Sequence, residues 1–127
     1  MLKRLVYTPA RNFSYSYRHG PANYPLKYKT IGQQLMETAH KFPDNKAIIS
    51  VHQNVTLTYP DLHDKAQRLA AAFVHLGFQK HDRIGIYSPN CWEWAVTQYA
   101  ASLADLILVN INPAYQVTEL KYALNKV

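Results

Sequence analysis

Apolar residues recur along this chain in short blocks whose period changes from block to block, and most blocks carry their own start and stop signals. After Thr30, the residues Ile31, Leu35, Met36 and Ala39 fall on one helical face. Thr30 and Gln33 have the spacing of a capping box, and Phe42-Pro43-Asp44-Asn45 ends the helix. Ala47-Ile48-Ile49-Ser50-Val51 and Val55-Thr56-Leu57-Thr58, separated by His52-Gln53-Asn54, predict a small β-hairpin. Thr58-Tyr59-Pro60-Asp61 then opens a long helix, because Thr58 and Asp61 can cap reciprocally and Pro60 sits where a missing N–H costs nothing. Its apolar stripe is Leu62, Ala66, Leu69, Phe73 and Leu76, and Gly77 is the C-terminal stop. Burying each large member of that stripe contributes about 1.5–3 kcal/mol, so this helix is expected to pack against a sheet.

The centre of the pattern is Asp82-Arg83-Ile84-Gly85-Ile86-Tyr87-Ser88-Pro89-Asn90. Ile84 and Ile86 form a short apolar run that predicts a strand, with Gly85 as a packing glycine beneath the long helix. Ser88-Pro89-Asn90 stops the strand. Asn90 and Glu93 have the spacing of an N-cap and its reciprocal partner, and Trp92, Val96, Tyr99 and Leu103 continue at helical spacing. Leu106-Ile107-Leu108-Val109-Asn110-Ile111 is nearly continuous in apolar residues, the pattern of a strand covered on both faces. Strand, helix and strand in this order make the βαβ unit of a parallel sheet. Asn112-Pro113 ends the second strand, and residues 116–126 predict a last helix with Leu120, Ala123 and Leu124 inward. The growing sheet is left with an apolar face and an unpaired edge, which further chain or a protein partner is expected to cover.

Composition narrows the class. An apolar fraction of 48% against 17% charged residues is that of a globular domain, and no apolar run approaches the roughly 20 residues of a membrane-spanning helix. The net charge of +6 lies wholly in the first 36 residues, which carry six basic side chains and no acid, while the remainder holds eight of each. Residues 1–20 are basic, rich in hydroxyls and aromatics and free of acids, which is the composition of a mitochondrial transit peptide or of a disordered basic leader. Arg11-Asn12-Phe13-Ser14 suggests cleavage after Phe13 by the matrix processing protease. Cys91 is the single cysteine, so no intrachain disulfide can form. Tyr15, Tyr17, Tyr24 and Tyr28 interleave with Arg18, Lys27 and Lys29 and could stack on single-stranded nucleic acid. Because the charge belongs to the leader, no nucleic-acid partner is expected.

Local motifs for chemistry are not found. The six histidines, at 19, 40, 52, 63, 75 and 81, include no i, i+4 pair, and none lies near the cysteine in a ligand spacing, so no metal site is expected. Asp61 and Asp64 share a helix start, where the dipole favours acids. Cys91 has no adjacent histidine, and no serine lies in a Gly-x-Ser-x-Gly elbow. The four glycines, at 20, 32, 77 and 85, are too scattered for a phosphate loop.

From about Tyr24 onward the order of segments resembles the N-terminal part of the adenylate-forming, AMP-binding acyl-CoA synthetases. The resemblance is carried by Thr30-Ile31-Gly32-Gln33, by Leu57-Thr58-Tyr59-Pro60-Asp61-Leu62, by Asp82-Arg83-Ile84-Gly85-Ile86 with Ser88-Pro89-Asn90, and most specifically by Asn112-Pro113-Ala114-Tyr115-Gln116 with Glu119-Leu120 and Tyr122. Within the family it is nearest to the mitochondrial medium-chain ligases. It implies an α/β fold, an incomplete N-terminal subdomain with a largely parallel sheet flanked by helices, spanning residues 21–127 as a truncated part of the adenylation domain. It further implies activation of a medium-chain fatty acid through an acyl-adenylate and transfer to coenzyme A in the mitochondrial matrix, with ATP, Mg²⁺ and coenzyme A as cofactors of the whole enzyme. The family's Ser/Thr/Gly-rich loop ending in lysine, its ribose-binding aspartate and its C-terminal lysine have no counterpart here. No catalytic, cofactor-binding or metal-binding residue is therefore assigned to this chain, which is expected to bind none of these cofactors and to be inactive alone. A non-catalytic accessory module in a mitochondrial assembly is the alternative. Asp105 stands where the family usually has glycine, at a turn that Asp tolerates.

Overall fold

A computed structural model describes Gly20 and residues 24–127. Residues 1–19 of the predicted leader, with its cleavage motif, lie outside the described residues. The elements are α1 (Ile31–Lys41), β1 (Lys46–Ser50), β2 (Val55–Thr58), α2 (Tyr59–His75), β3 (Arg83–Tyr87), α3 (Trp92–Leu103), β4 (Ile107–Ile111) and α4 (Val117–Lys126).

Two helix starts follow the local sequence. Thr30 Oγ1 accepts from the Gln33 N–H at 3.2 Å while Gln33 Oε1 accepts from the Thr30 N–H at 2.9 Å. Asp61 Oδ2 accepts from the Thr58 N–H at 2.9 Å and from the Thr58 hydroxyl at 2.7 Å, and the Asp61 N–H donates back to Thr58 Oγ1 at 3.3 Å. Gly77 ends α2 at φ 92°, a backbone conformation open to glycine, with its N–H donating to the Val74 carbonyl.

The strands form two separate two-stranded sheets rather than one largely parallel sheet. β1 and β2 pair antiparallel, and β3 and β4 pair parallel, with Arg83 opposite Ile107 and Tyr87 opposite Ile111. Strand order explains the difference: the short tip between β1 and β2 permits only an antiparallel return, whereas α3 supplies the crossover that parallel pairing needs.

Two apolar clusters hold these parts together. Leu35, Leu57, Leu62 and Val96 meet where α1, the hairpin, α2 and α3 converge, with Trp92 and Tyr99 packed against them. Ile84, Ala101 and Leu106 form the second cluster beside Leu108, Phe73 and Phe78, and these two rings meet edge-on at 5.8 Å. Helix α2 packs on the hairpin, as a helix over a sheet should, but its main partner is α3. The fully buried Ala66 and Ala100 lie on these two helices.

Four apolar positions depart from the periodicity reading. Leu76 is 73% exposed because the chain turns away at Gly77 before the stripe can use it. Strand β4 is not covered along its whole length on both faces: Ile111 is buried, whereas Ile107, on the same face at the other end of the strand, is 43% exposed. No residue of α4 is buried, and Leu124 is 57% exposed instead of inward. Gly85 is exposed and does not lie beneath α2: Ile84 faces that layer, and the period of two sends Gly85 to the opposite face, where a Cβ would meet Ile111 Cδ1 at 3.4 Å.

Candidate functional site

Open parallel sheets bind ligands at the carboxyl ends of their strands, which here are the turns after β3 and β4. The two turns are tied together: the Tyr87 hydroxyl, at the end of β3, donates to the Tyr115 carbonyl at 2.8 Å. The second turn is shaped by Asn112, whose Oδ1 accepts from the Ala114 N–H at 3.0 Å and whose carbonyl accepts from the Tyr115 N–H at 3.1 Å. Beside it opens a concavity of about 740 Å³ lined by Asn110, Tyr115, Thr118, Glu119, Tyr122 and Ala123. Its outer wall is α4, the helix without a buried residue.

The first turn, residues 88–91, is held from a distance. Helix α3 begins at Trp92 with Cys91 in the N-cap position, and Cys91 makes no side-chain capping bond. Asn90 is not the cap and Glu93 does not reach back to it. Instead Gln53, from the tip of the β1–β2 hairpin, inserts its amide. Gln53 Oε1 accepts from the Trp92 N–H at 3.0 Å and from the Ser50 hydroxyl at 2.7 Å, and Gln53 Nε2 donates to Glu93 Oε2 at 2.8 Å. That donation is the leading reason the Glu93 carboxyl is held below the usual range. His52 Nδ1 lies 3.4 Å from Ser50 Oγ, and Ser88 Oγ is 3.5 Å from the half-buried Cys91 sulfur. No local signal marks Gln53 as a cap, because its partners on α3 lie about forty positions away.

The amino ends of β3 and β4 are fixed by a second non-local pair. Asp105 (φ 58°) and His81 (φ 68°) both occupy the left-handed region, and the His81 N–H donates to the Asp105 carbonyl at 2.8 Å. Lys80 Nζ lies 2.6 Å from Asp105 Oδ2, and this contact keeps the Asp105 carboxyl below its ordinary range. Asp is a residue type that tolerates this conformation, and at position 105 it adds an ion pair. The carboxylates at the start of α2 are structural: Asp61 caps the helix and Asp64 lies 3.8 Å from Arg68.

Among the described residues no three His, Cys, Asp or Glu side chains converge on one point. The glycines are separated from one another: Gly32 packs on Leu103, while a Cβ on Gly77 would meet nothing within 4 Å. The donor set of these residues does not fit ATP with Mg²⁺, which needs converging backbone N–H groups and carboxylates.

Comparison with known proteins decides the family. The family model for AMP-binding enzymes matches residues 35–127. This chain belongs to the AMP-binding enzyme family. The mitochondrial medium-chain acyl-CoA ligase of Homo sapiens is 39% identical to this AMP-binding chain over 124 residues, which are 98% of this chain and 20% of that protein. Among solved structures, a putative long-chain-fatty-acid CoA ligase from Rhodopseudomonas palustris is 30% identical, with a TM-score of 0.71 over 76% of this chain and 24% of that one. The N-terminal domain of FACL13 from Mycobacterium tuberculosis is 29% identical, with a TM-score of 0.72 and the same coverage of 76% and 24%. The chain spans about a fifth of the length of the curated relatives it matches. Its fold is that of the N-terminal subdomain of acyl-CoA synthetases, mixed in strand direction and only partly parallel.

Proposed function

We propose that this chain supplies the N-terminal part of a mitochondrial ligase that activates medium-chain fatty acids with ATP and coenzyme A. The observation that carries the reading is the 39% identity, over 98% of this chain, to the mitochondrial medium-chain acyl-CoA ligase of Homo sapiens. In this reading residues 1–20 direct the protein to the mitochondrial matrix, and the described residues are scaffold. The face left open by α4 and the free edge of β4 are covered by the remaining synthetase chain. The 127-residue polypeptide is inactive alone in this reading, because the described residues include no preorganised groups to stabilise the charge of the transferring phosphoryl group.

Pyrophosphate release tests the proposal. The purified 127-residue chain, given octanoate or palmitate with ATP, Mg²⁺ and coenzyme A, is expected to release none above background. A longer protein sharing this N-terminal sequence is expected to release it and to favour octanoate. Fatty-acid-dependent release by the short chain, or none from the long one, contradicts the reading.

A second reading, a non-catalytic accessory module in a mitochondrial assembly, draws on the same unburied helix α4, which a protein partner would then cover. The transcript beyond the codon for Val127 separates the two. A continuing frame with a Ser/Thr/Gly-rich loop ending in lysine favours the ligase, and a stop codon in an abundant message favours the module.

A further inference from the structure

We infer that Gln53 is the positioning residue for the turn between β3 and α3, acting as a helix cap supplied from another part of the chain. The first turn of any α-helix leaves N–H groups without intrahelical partners, and a side-chain acceptor just before the helix normally satisfies one of them. Here that position is Cys91, with extended backbone (φ −148°, ψ 167°) and no capping bond. The neighbouring hydroxyl is spent elsewhere, since Ser88 Oγ donates to the Pro89 carbonyl at 3.0 Å. The Trp92 N–H finds its acceptor only in Gln53.

Gln53 suits this task because its amide is fixed at both ends. Both acceptor sites of Oε1 are used, by Ser50 and Trp92, and Nε2 is held by Glu93. Ser50, the donor that orients Oε1, is itself 8% exposed and therefore sets the amide from a rigid position at the end of β1. Among the described residues, the hydrogen bonds joining the antiparallel hairpin to the β3–α3–β4 unit both run through this one side chain. The rest of that junction is apolar contact, which holds the layers together without fixing an angle. Gln53 thereby determines where the turn of residues 88–91 sits, at the carboxyl end of β3.

Amide hydrogen exchange on the full 127-residue chain tests this, and its readout needs no ligase activity. Gln53→Met removes all three hydrogen bonds at similar volume. The Trp92 amide is expected to exchange about tenfold faster, with Ile84 and Leu108 unchanged. Gln53→Glu combined with Glu93→Gln keeps an acceptor for Trp92 and reverses the pair, the new amide at 93 donating to the new carboxylate at 53, so Trp92 is expected to remain protected. An unchanged Trp92 rate in Gln53→Met, or an equal rise in β3, β4 and the turn, overturns the inference. If Gln53→Met does not fold, the double variant Gln53→Glu/Glu93→Gln decides: a Trp92 amide that loses protection there also overturns it.

Discussion

A methyl group placed on Gly32 of α1 would lie 2.5 Å from Leu103 Cδ2 and 3.3 Å from its Cγ, so α1 and the last turn of α3 meet at a distance that admits only a hydrogen. The glycine costs α1 some helix propensity, up to about 1 kcal/mol relative to alanine, and the close crossing offsets that loss. Gly32→Val is expected to destabilise the protein by about 1–3 kcal/mol through overpacking. Gly32→Ala and Leu103→Ala are expected to be non-additive, because removing the Leu103 branch makes room for the new methyl. Urea unfolding of both single variants and the double variant measures the coupling, and additive values would show that the two side chains do not constrain each other.

Acid is expected to loosen α2 at its start. The Thr58 N–H and hydroxyl bond the Asp61 carboxylate and hold it below its ordinary range, the backbone bond contributing most. A carboxyl depressed in the folded state contributes stability that is fully present above its unfolded value, about 3.9, and is lost as pH falls through the folded one. The stability difference between the wild type and Asp61→Asn should therefore be largest near neutrality and shrink below about pH 4. A difference that stays constant from neutral to acid pH would remove Asp61 from the linkage. At neutral pH, Thr58→Ala should cost about 0.5–2 kcal/mol as a lost cap.

Equal leucines are expected to have unequal effects. Leu62 is 3% exposed in the first cluster, whereas Leu76 is 73% and Leu124 57% exposed. Leu62→Ala should cost about 2–5 kcal/mol, and Leu76→Ala and Leu124→Ala should each stay within about 0.5 kcal/mol. Thermal or urea unfolding of the three variants checks the order. A large loss at Leu124 would mean that α4 packs more tightly than its open face indicates.

Most signals whose partner lies within one turn are realised as their spacing predicts. The boxes Thr30–Gln33 and Thr58–Asp61 and the stop at Gly77 are of this kind, since each is satisfied by neighbours three or four residues away. Asn90 and Glu93 offered the same spacing and are used differently, because Gln53 reaches the helix start from the hairpin and takes Glu93 as its own partner. Periodicity likewise placed Leu62 and Ala66 inside. It could not register that α2 runs out of partners at Leu76, that Ile107 at the start of β4 is left exposed, or that α4 buries none of its residues. The candidate site was the least legible part. A turn at the end of a strand is visible in Ser88-Pro89-Asn90, but the side chain that sets its position is not adjacent to it.

By itself the sequence determined the identity and order of the elements, the ends of most helices and the family to which the chain belongs. These depend on hydrophobic period, caps and turn residues, which act over a few positions. Only the tertiary structure decided that the hairpin and the parallel pair, both expected from the sequence, stay in separate sheets, that Gly32 serves Leu103 while Gly85 stands exposed, and that Gln53 caps α3. Each of these depends on which distant surfaces come into contact, and contact between residues forty or seventy positions apart leaves no spacing to read.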